Sequence, residues 1–236
     1  MTFNKDAYKS VNFKKIYSKA NEHLVLSRSI TSFPFKTKSF INEFSDVRLC
    51  SYKKAKDKYD ISIRLFGSES AVIIEKDGAY VIFYNQSEPD YRVRFSIIHE
   101  YAHYIFGHQL NLQNTDTLYH TQEIEANCFA AQLLMPEQIL RECQKRGIRL
   151  SLDFIIKSFG VSDEAAEKRL NTLANTIYEW RSREEIEYDD IILNKYAQKL
   201  NEIAPKSLEY DYFDPEADYD RQRERDSWFD SRSRWK

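Results

Sequence analysis

Alternation of apolar and polar residues predicts a small β-sheet in the second quarter of the chain. Apolar side chains occupy every second position over residues 61–65, which is the two-residue period of a half-buried strand. Two more apolar runs, 71–74 and 80–84, are separated by an Asp-Gly pair. Because glycine adopts the positive φ of a type I′ turn, Asp-Gly between two such runs favours a hairpin. We therefore predict a small antiparallel sheet over residues 59–85.

The spacing of apolar residues becomes helical after Pro89. Over residues 95–106 the apolar side chains recur every three or four positions, and Gly107 then ends the predicted helix. A second predicted helix covers about residues 122–134 and ends before a Met-Pro pair. These two helices carry most of the residues that indicate chemistry.

Two further predicted helices, 152–159 and 163–177, are joined by a short turn in which Ser162 is a natural N-cap. The pair has the spacing of a helix-turn-helix unit, but such pairs are common in domains that contact no DNA. Its basic residues do not outnumber its acidic residues, whereas DNA-binding surfaces are basic. We interpret the pair as accessory helices packed on the core, with DNA contact as a minor alternative.

These patterns divide the chain into four segments. The first segment, 1–58, is predicted to be helical. The second, 59–140, is a core that contains the predicted sheet and the two helices after Pro89, and the helix pair lies within the third, 141–180. The last segment, 181–236, is a charged, aromatic tail with little periodicity, and its stretch 209–220 contains six acidic residues and no basic one. Blocks of like charge are typical of solvated tails or of segments that dock on a partner.

Composition supports a folded chain and excludes several functional classes. Of the 236 residues, 42% are hydrophobic and 31% are charged, which is enough apolar material for a core and excludes global disorder. Five glycines and five prolines are too few for collagen-like or low-complexity structure. A net charge of −2 offers no overall polycation, so direct binding of nucleic acid is not expected.

Cysteine content and hydropathy favour a soluble, cytoplasmic protein. The three cysteines are widely spaced and form no CxxC pair, which excludes a disulfide framework and a cysteine-rich zinc knuckle. The N-terminus is charged and lacks the apolar segment of a signal peptide, and no apolar run reaches about 18 residues. We therefore expect a reducing, cytoplasmic location and no association with membranes.

The sequence His-Glu-Tyr-Ala-His at 99–103 is the most informative motif in the chain. Residues four apart share one face of a helix, so His99 and His103 can bind one metal ion while Glu100 lies beside its open coordination position. Nitrogen and carboxylate ligands favour zinc. Glu100 would take a proton from the attacking water and deliver it to the leaving amine. The motif also arises by chance on amphipathic helices, so a third ligand is needed as support.

A catalytic zinc site typically has three protein ligands. The third histidine of metzincins would fall on Gln109 in this chain, whereas His108 is one residue out of register and is interpreted as a histidine at the helix C-terminus. Glu123 on the following helix, with Asn127 one turn later, meets the other zincin spacing, in which a glutamate is the third ligand. Glu125 competes with Glu123, but it projects about 200° around the helix and does not share a face with Asn127.

Asn127 has two interpretations. It is placed to accept a hydrogen bond from a ligand imidazole, a contact that orients metal-binding histidines. Alternatively, it bonds only to local backbone groups, as asparagine often does. The neighbouring Cys128 follows the packing pattern of the helix, and we interpret it as a small buried apolar residue rather than as a ligand.

Three stretches of the chain resemble, in the correct order, the ImmA/IrrE family of zinc metallopeptidases. They are 92–103, which contains the HExxH motif, 123–136, which reads EIEANCFAAQLLMP, and 159–170 in the helix pair. The resemblance covers about residues 60–175. It implies a gluzincin-like α+β fold in which a small antiparallel sheet packs on the HExxH helix and on a helix with the glutamate ligand, followed by a helical C-terminal region.

The same resemblance implies a zincin-like core, a zinc centre and a substrate class. His99, His103 and Glu123 would bind one zinc ion per chain, with Glu100 as the general base. Members of this family typically cleave a helix-turn-helix repressor, which releases genes of a mobile element or of a stress response. The tail from Arg181 onward does not resemble the C-terminal sensor domain of the family's stress regulator.

A zincin also needs a group that stabilises the oxyanion formed during peptide cleavage. His120, Tyr119 and Tyr101 lie close to the metal ligands in sequence and are candidates for this role, although polar aromatic side chains near a cleft often only pack. An edge of the predicted sheet would bind an extended substrate segment by strand addition. The sequence does not indicate which strand forms that edge.

We therefore expect a zinc-dependent endopeptidase whose protein substrate is a DNA-binding repressor. The alternative is an interaction module that keeps zinc for structure and inhibits or titrates a partner protein without proteolysis. The two hypotheses differ in whether the carboxylate of Glu100 is required for biological activity, because only the peptidase uses it as a general base.

Overall fold

The computed structural model describes residues 5–62, 68–110, 112, 116–175 and 182–206. The chain divides into two units, Met1–Pro205 and Lys206–Lys236, and every described helix and strand belongs to the first unit. In chain order these elements are α1 (Lys5–Ser10), α2 (Phe13–Leu26), α3 (Thr37–Phe44), β1 (Arg48–Ser51), α4 (Tyr52–Tyr59), β2 (Ala71–Lys76), β3 (Ala79–Tyr84), α5 (Asp90–Phe106), α6 (Thr117–Leu134), α7 (Glu137–Lys145), α8 (Leu152–Phe159), α9 (Asp163–Asn175), α10 (Arg183–Lys195) and α11 (Ala197–Ile203).

Three strands form a mixed sheet in the order β1-β3-β2. Strands β2 and β3 are antiparallel, with Lys76 opposite Ala79 across the turn. Both turn residues, Asp77 and Gly78, have positive φ, at 53° and 76°, which matches the right-handed twist of the flanking strands. The predicted hairpin is therefore confirmed.

The other side of the sheet differs from the purely antiparallel arrangement that the sequence predicted. Strand β1 runs parallel to β3, with Arg48 opposite Val81. It lies inside the segment 1–58, which the sequence indicated to be helical. Four residues are too few for a two-residue period to be visible. The strand forms because it pairs with the edge of β3 that β2 does not occupy. Most of the strand predicted over 61–65 lies outside the described residues.

Helix α5 lies between the sheet and the remaining helices. It packs on β2 and β3 and also on α6, which in turn packs on α1 and α2. The buried apolar side chains of these layers form one cluster that includes Ile73, Ile82, Ile98, Ala102, Phe129 and Leu133. The α+β class, the small sheet on the HExxH helix and the helical C-terminal region are thus as predicted.

The C-terminal part of the described chain is more regular than the sequence indicated. Helices α8 and α9 pack together, and the Ser162 hydroxyl accepts a hydrogen bond from the Ala165 N–H at 3.2 Å, as expected of an N-cap. Residues 183–203, at the start of the predicted tail, form α10 and α11. The acidic stretch 209–220 lies outside the described residues.

Helix α10 carries sequence signals that identify it in retrospect. Ser182 and Glu185 form a capping box, in which each side chain accepts a hydrogen bond from the other residue's backbone N–H. Ile192 on α10, Tyr196 at its C-cap and Leu200 on α11 are buried, and their spacing of four residues is typical of a helix face. Helix α10 packs on α2. No helix in the described ranges has the length and hydrophobicity of a membrane span.

A buried arginine fixes the end of α6 against α9. Arg169 is 2% exposed, and its guanidinium donates hydrogen bonds to the Met135 carbonyl at 3.0 Å, to the Tyr17 hydroxyl at 3.0 Å and to the side-chain oxygen of Gln132. These partners lie on α2 and at the end of α6. The guanidinium therefore joins the helix pair to the layer that carries the metal-binding motif.

We predict that Arg169→Met lowers the free energy of unfolding by about 3 kcal/mol or more, because it leaves several buried acceptors without their donor. Urea unfolding followed by circular dichroism measures the change. Lys168→Met is the matched control, since the Lys168 side chain is 74% exposed and its loss is expected to change stability by no more than about 0.5 kcal/mol. Equal effects of the two substitutions would contradict a structural role for Arg169.

Candidate metal centre

The HExxH motif occupies the last two turns of α5. His99 and His103 lie four residues apart, so both imidazoles project from the same face of the helix. The helix ends where predicted, at Gly107, which adopts a left-handed conformation with φ of 65°. This conformation turns the chain sharply and is readily available only to glycine.

Helix α6 brings the third candidate ligand to the same place. It begins at Thr117, earlier than the predicted start at about residue 122, and packs directly on α5. Glu123 lies on its second turn, with a side chain that is 26% exposed. The contact between α5 and α6 therefore sets the position of this carboxylate relative to the two histidines.

Three side chains converge between these helices. The Nε2 atoms of His99 and His103 are 3.1 Å apart. One carboxylate oxygen of Glu123, Oε2, lies 3.5 Å from His99 Nε2, and the other, Oε1, lies 3.4 Å from His103 Nε2. One ligand atom from each residue lies within 4.8 Å of those of the other two. The sequence thus predicted a group of residues that the fold brings together.

These residues fit a tetrahedral metal ion. Ligand bonds of about 2.0–2.1 Å in a tetrahedral zinc site place neighbouring ligand atoms about 3.3 Å apart, and the observed separations are close to this value. Within the part of the chain that the structure describes, no other group of at least three His, Cys, Asp or Glu residues has such a geometry. Three protein ligands fill three positions of a tetrahedral ion, and catalytic zinc sites use the fourth for water or substrate.

The carboxylate and the imidazoles change one another's proton affinity. Burial opposes the ionisation of Glu123, but its hydrogen bonds with His103 and His99 hold the pKa of this carboxyl below its ordinary value. Burial also opposes the charging of His99, yet its contact with Glu123 and the charge of Glu100 raise the pKa of this imidazole. The site therefore favours positive charge at its centre, and a metal ion that binds must displace protons.

The other nitrogen of each histidine also has a partner. Asn127 Oδ1 lies 3.2 Å from His99 Nδ1, which is the contact expected of a residue that orients a ligand. His108 Nδ1 lies 3.0 Å from His103 Nδ1, and His108 Nε2 lies 3.0 Å from Glu125 Oε2. Burial, followed by the charge of His103, lowers the pKa of His108 to about 4.

The sequence did not indicate the contact between His108 and His103. From the sequence, His108 is a histidine at the end of a helix, and Glu125 is only a competing ligand. The available signal was Gly107, because a glycine in the left-handed conformation directs the next residue back over the last helical turn. Glu125 does not reach the three-residue cluster, so Glu123 is the acid that the geometry favours as ligand.

Two of the three candidates for the oxyanion role lie on the first turn of α6. The ring centroids of Tyr119 and His120 are 5.6 Å apart, and both residues precede Glu123 by one helical turn. Burial, followed by the negative charges of Glu123 and Glu100, raises the pKa of Tyr119, so its phenol keeps its proton at neutral pH.

The third candidate, Tyr101, is not brought to the cluster. It is 1% exposed, and its hydroxyl lies 3.2 Å from His23 Nε2 in the core. The reason is its position on α5, because it follows His99 by two residues and so points to the opposite side of the helix. The expectation that Tyr101 stabilises the oxyanion is therefore corrected by the structure.

Comparison with protein families identifies the domain that carries this site. The family model Peptidase_M78, described as the IrrE N-terminal-like domain, matches residues 51–171, which is slightly more than half of the chain. The chain therefore belongs to this peptidase family, as the resemblance of its motifs implied. The matched region includes α5 and α6, and so the whole candidate metal centre. A comparison with curated protein sequences finds no match.

We predict that one equivalent of zinc raises the melting temperature of the chain, because a ligand that binds only the folded state stabilises it by mass action. The expected gain is about 2.7 kcal/mol at a free zinc concentration 100 times the dissociation constant. Glu123→Gln is expected to remove most of this gain. Glu187→Gln is the matched control, since Glu187 has a 66% exposed side chain and lies outside the cluster. Thermal unfolding with and without zinc measures the gain in stability. A Glu123→Gln variant that kept the full gain would contradict the role of Glu123 as a ligand.

Proposed function

We propose that this member of the IrrE N-terminal-like family is a zinc-dependent endopeptidase that cleaves a helix-turn-helix repressor, and so releases genes of a mobile element or of a stress response. The convergence of His99, His103 and Glu123 within a peptidase-family domain carries the proposal. The repressor is inferred from the family resemblance of the motifs. Because such a substrate acts on DNA inside the cell, we also propose a cytoplasmic location.

Zinc is the metal that this ligand set favours, since two imidazoles and one carboxylate are the protein ligands of a common type of catalytic zinc site. A zinc ion held by His99, His103 and Glu123 would supply Lewis-acid polarisation of the scissile carbonyl and of the attacking water. The steps that follow the binding of substrate are assigned to side chains of the protein itself.

Glu100 is the proposed general base. Its Oε2 atom accepts a hydrogen bond from the Ile73 N–H at 2.8 Å, which fixes the carboxylate and leaves the second oxygen for the attacking water. Burial raises the pKa of Glu100, although the charges of His99 and His103 act against this shift. A pKa raised toward neutrality suits a carboxylate that takes up a proton and then delivers it to the leaving amine.

Strand β2 is the proposed docking edge for the substrate. Within the described part of the chain it is a terminal strand of the sheet. The Ser70 carbonyl accepts a hydrogen bond from the Asn85 N–H, so backbone groups at even positions face β3. Those of Ala71, Ile73 and Glu75 face the other edge, where the Ile73 N–H already donates to Glu100. An extended peptide added along this edge would pass directly beside Glu100.

Tyr119 is the proposed donor to the oxyanion that develops at the scissile carbonyl. Its phenol stays protonated, because burial and the neighbouring carboxylates of Glu123 and Glu100 raise its pKa. It also lies one helical turn before the proposed ligand Glu123, and a hydroxyl at this place can donate to developing negative charge. His120 remains the second choice for this role because it lies on the same turn.

We predict that Glu100→Gln keeps zinc but lowers the rate of repressor cleavage by about 10²- to 10⁴-fold, because an amide cannot accept the proton of the attacking water. The chain is incubated with the repressor encoded by the neighbouring gene, and mass spectrometry maps and quantifies the cut. Zinc content is measured in the same samples. Glu187→Gln, on the exposed surface of α10, is the matched control and should cleave normally.

The same variant separates cleavage from simple binding. Should Glu100→Gln still release repressed genes in cells, while it no longer cuts the repressor, an interaction module that titrates its partner would replace the peptidase. Cleavage at a normal rate by chain from which zinc has been removed would also overturn the proposal.

We predict that Tyr119→Phe lowers kcat by about 10²- to 10³-fold with little change in KM, because an oxyanion donor acts in the transition state and not on bound substrate. Steady-state cleavage of a peptide that spans the mapped site measures both constants. Tyr59→Phe is the control, since Tyr59 is 56% exposed on α4. An unchanged kcat for Tyr119→Phe would exclude the role and direct attention to His120.

A further inference from the structure

The end of α5 folds back on the metal-binding motif. The His108 N–H donates to the His103 carbonyl at 3.0 Å, and the Gly107 N–H donates to the Tyr104 carbonyl at 3.1 Å. These two hydrogen bonds, with the left-handed glycine between the partners, form a Schellman motif. The motif places the imidazole of His108 against that of His103, with the ring centroids 4.9 Å apart.

Contacts from His103 continue through His108 to a carboxylate. His103 directs Nε2 toward Glu123 and Nδ1 toward His108 Nδ1, which is 3.0 Å away. On the other side of its ring, His108 Nε2 lies 3.0 Å from Glu125 Oε2. The His108 side chain is only 4% exposed, so water does not compete freely for these contacts.

When His103 binds a metal through Nε2, only one placement of the ring hydrogens gives both the His103–His108 contact and the His108–Glu125 contact a donor and an acceptor. A neutral imidazole that offers one nitrogen to a metal carries its hydrogen on the other, so His103 Nδ1–H must donate. His108 Nδ1 then accepts, and its Nε2–H donates to Glu125. Each contact has one donor and one acceptor, and the series ends on a carboxylate.

Glu125 is itself held in place. Burial raises the pKa of the Glu125 carboxyl, while the charge of Lys15 and the hydrogen bond that the carboxylate accepts from the Asn12 backbone N–H act against this shift. Both residues belong to the start of α2, where Asn12 is the N-cap. The acceptor at the end of the series is therefore tied to a third helix.

We infer that His108 and Glu125 are positioning residues for the metal ligand His103, an inference that rests on the proposed zinc centre. They fix the orientation and the tautomer of the His103 ring, and the carboxylate makes its Nε2 a stronger donor to the metal. Hydrogen-bond partners of this kind contribute about 10- to 100-fold to metal affinity or activity. His108 and Glu125 touch neither the metal nor the substrate in this assignment.

Zinc affinity of the full chain tests the inference, measured by competition with a chromophoric chelator at neutral pH. His108→Phe is expected to weaken zinc binding by about 10- to 100-fold, because Nδ1 of His103 loses its acceptor. His108→Asn is expected to recover part of the loss, since its side-chain oxygen can take the place of Nδ1. Glu125→Gln keeps an acceptor but removes the charge, so a smaller loss is expected.

The visible spectrum of the cobalt-substituted chain gives a second readout that does not depend on activity. His108→Phe is expected to change the positions or intensities of the ligand-field bands, because the orientation of the His103 ring alters the field at the metal. A substitution that only loosened the fold would lower the amount of bound cobalt without changing its spectrum.

His23→Phe is the matched control. His23 is also a largely buried histidine, with 4% exposure of the residue, and its Nε2 lies 3.2 Å from the hydroxyl of Tyr101 on helix α5. It contacts none of the three candidate ligands. His23→Phe is therefore expected to lower stability while zinc affinity and the cobalt spectrum stay unchanged.

The outcomes distinguish this inference from the proposed function. A wild-type chain that binds no zinc would overturn the zinc centre itself. A wild-type chain that binds zinc, together with unchanged affinity in His108→Phe and Glu125→Gln, would leave the centre intact and overturn the positioning role. Equal losses in His108→Phe and His23→Phe would also overturn it. If His108→Phe fails to fold, the zinc affinity of Glu125→Gln tests the inference by itself. An affinity equal to that of the wild type then rejects the inference.

Discussion

The packing of α5 against α6 is the contact on which the candidate metal centre depends. Helix α5 supplies the two imidazoles and Glu100, and α6 supplies the carboxylate of Glu123. Small buried residues, Ala102 on α5 and Ala126 on α6, allow helices to approach closely where they pack. Packing of the apolar core therefore sets the distances between the three ligand groups. A change in that packing would also change the coordination geometry available to a metal ion.

Polar contacts fix α6 in this position at several points along its length. Glu125 is tied to the start of α2, while Gln132 and the Met135 carbonyl at its end are bound by the buried guanidinium of Arg169. Buried polar groups satisfied in this way restrict a helix more strongly than apolar packing, which tolerates sliding. The accessory helix pair thus contributes to the site although it supplies no ligand.

The sequence predicted the parts of the structure that local periodicity determines. The hairpin at Asp77-Gly78, the end of α5 at Gly107 and the triad of His99, His103 and Glu123 all follow from fixed spacings. Strand β1 could not be predicted, because its formation depends on a partner distant in sequence. The position of Tyr101 differs in this respect, because its offset of two residues from His99 already places it on the opposite side of the helix.

The two acids of α6 show how one helix serves both nitrogens of a single imidazole. In the sequence, Glu123 and Glu125 compete for one position at the metal, and their divergence of about 200° around the helix eliminates one of them. In the structure, Glu123 faces Nε2 of His103, while Glu125 reaches Nδ1 through the ring of His108. The two nitrogens of an imidazole point in different directions. Two carboxylates that interact with them must therefore also project from α6 in different directions. The two-residue spacing that turns Glu125 away from the metal therefore also directs it toward Nδ1, the nitrogen of His103 that faces away from the metal.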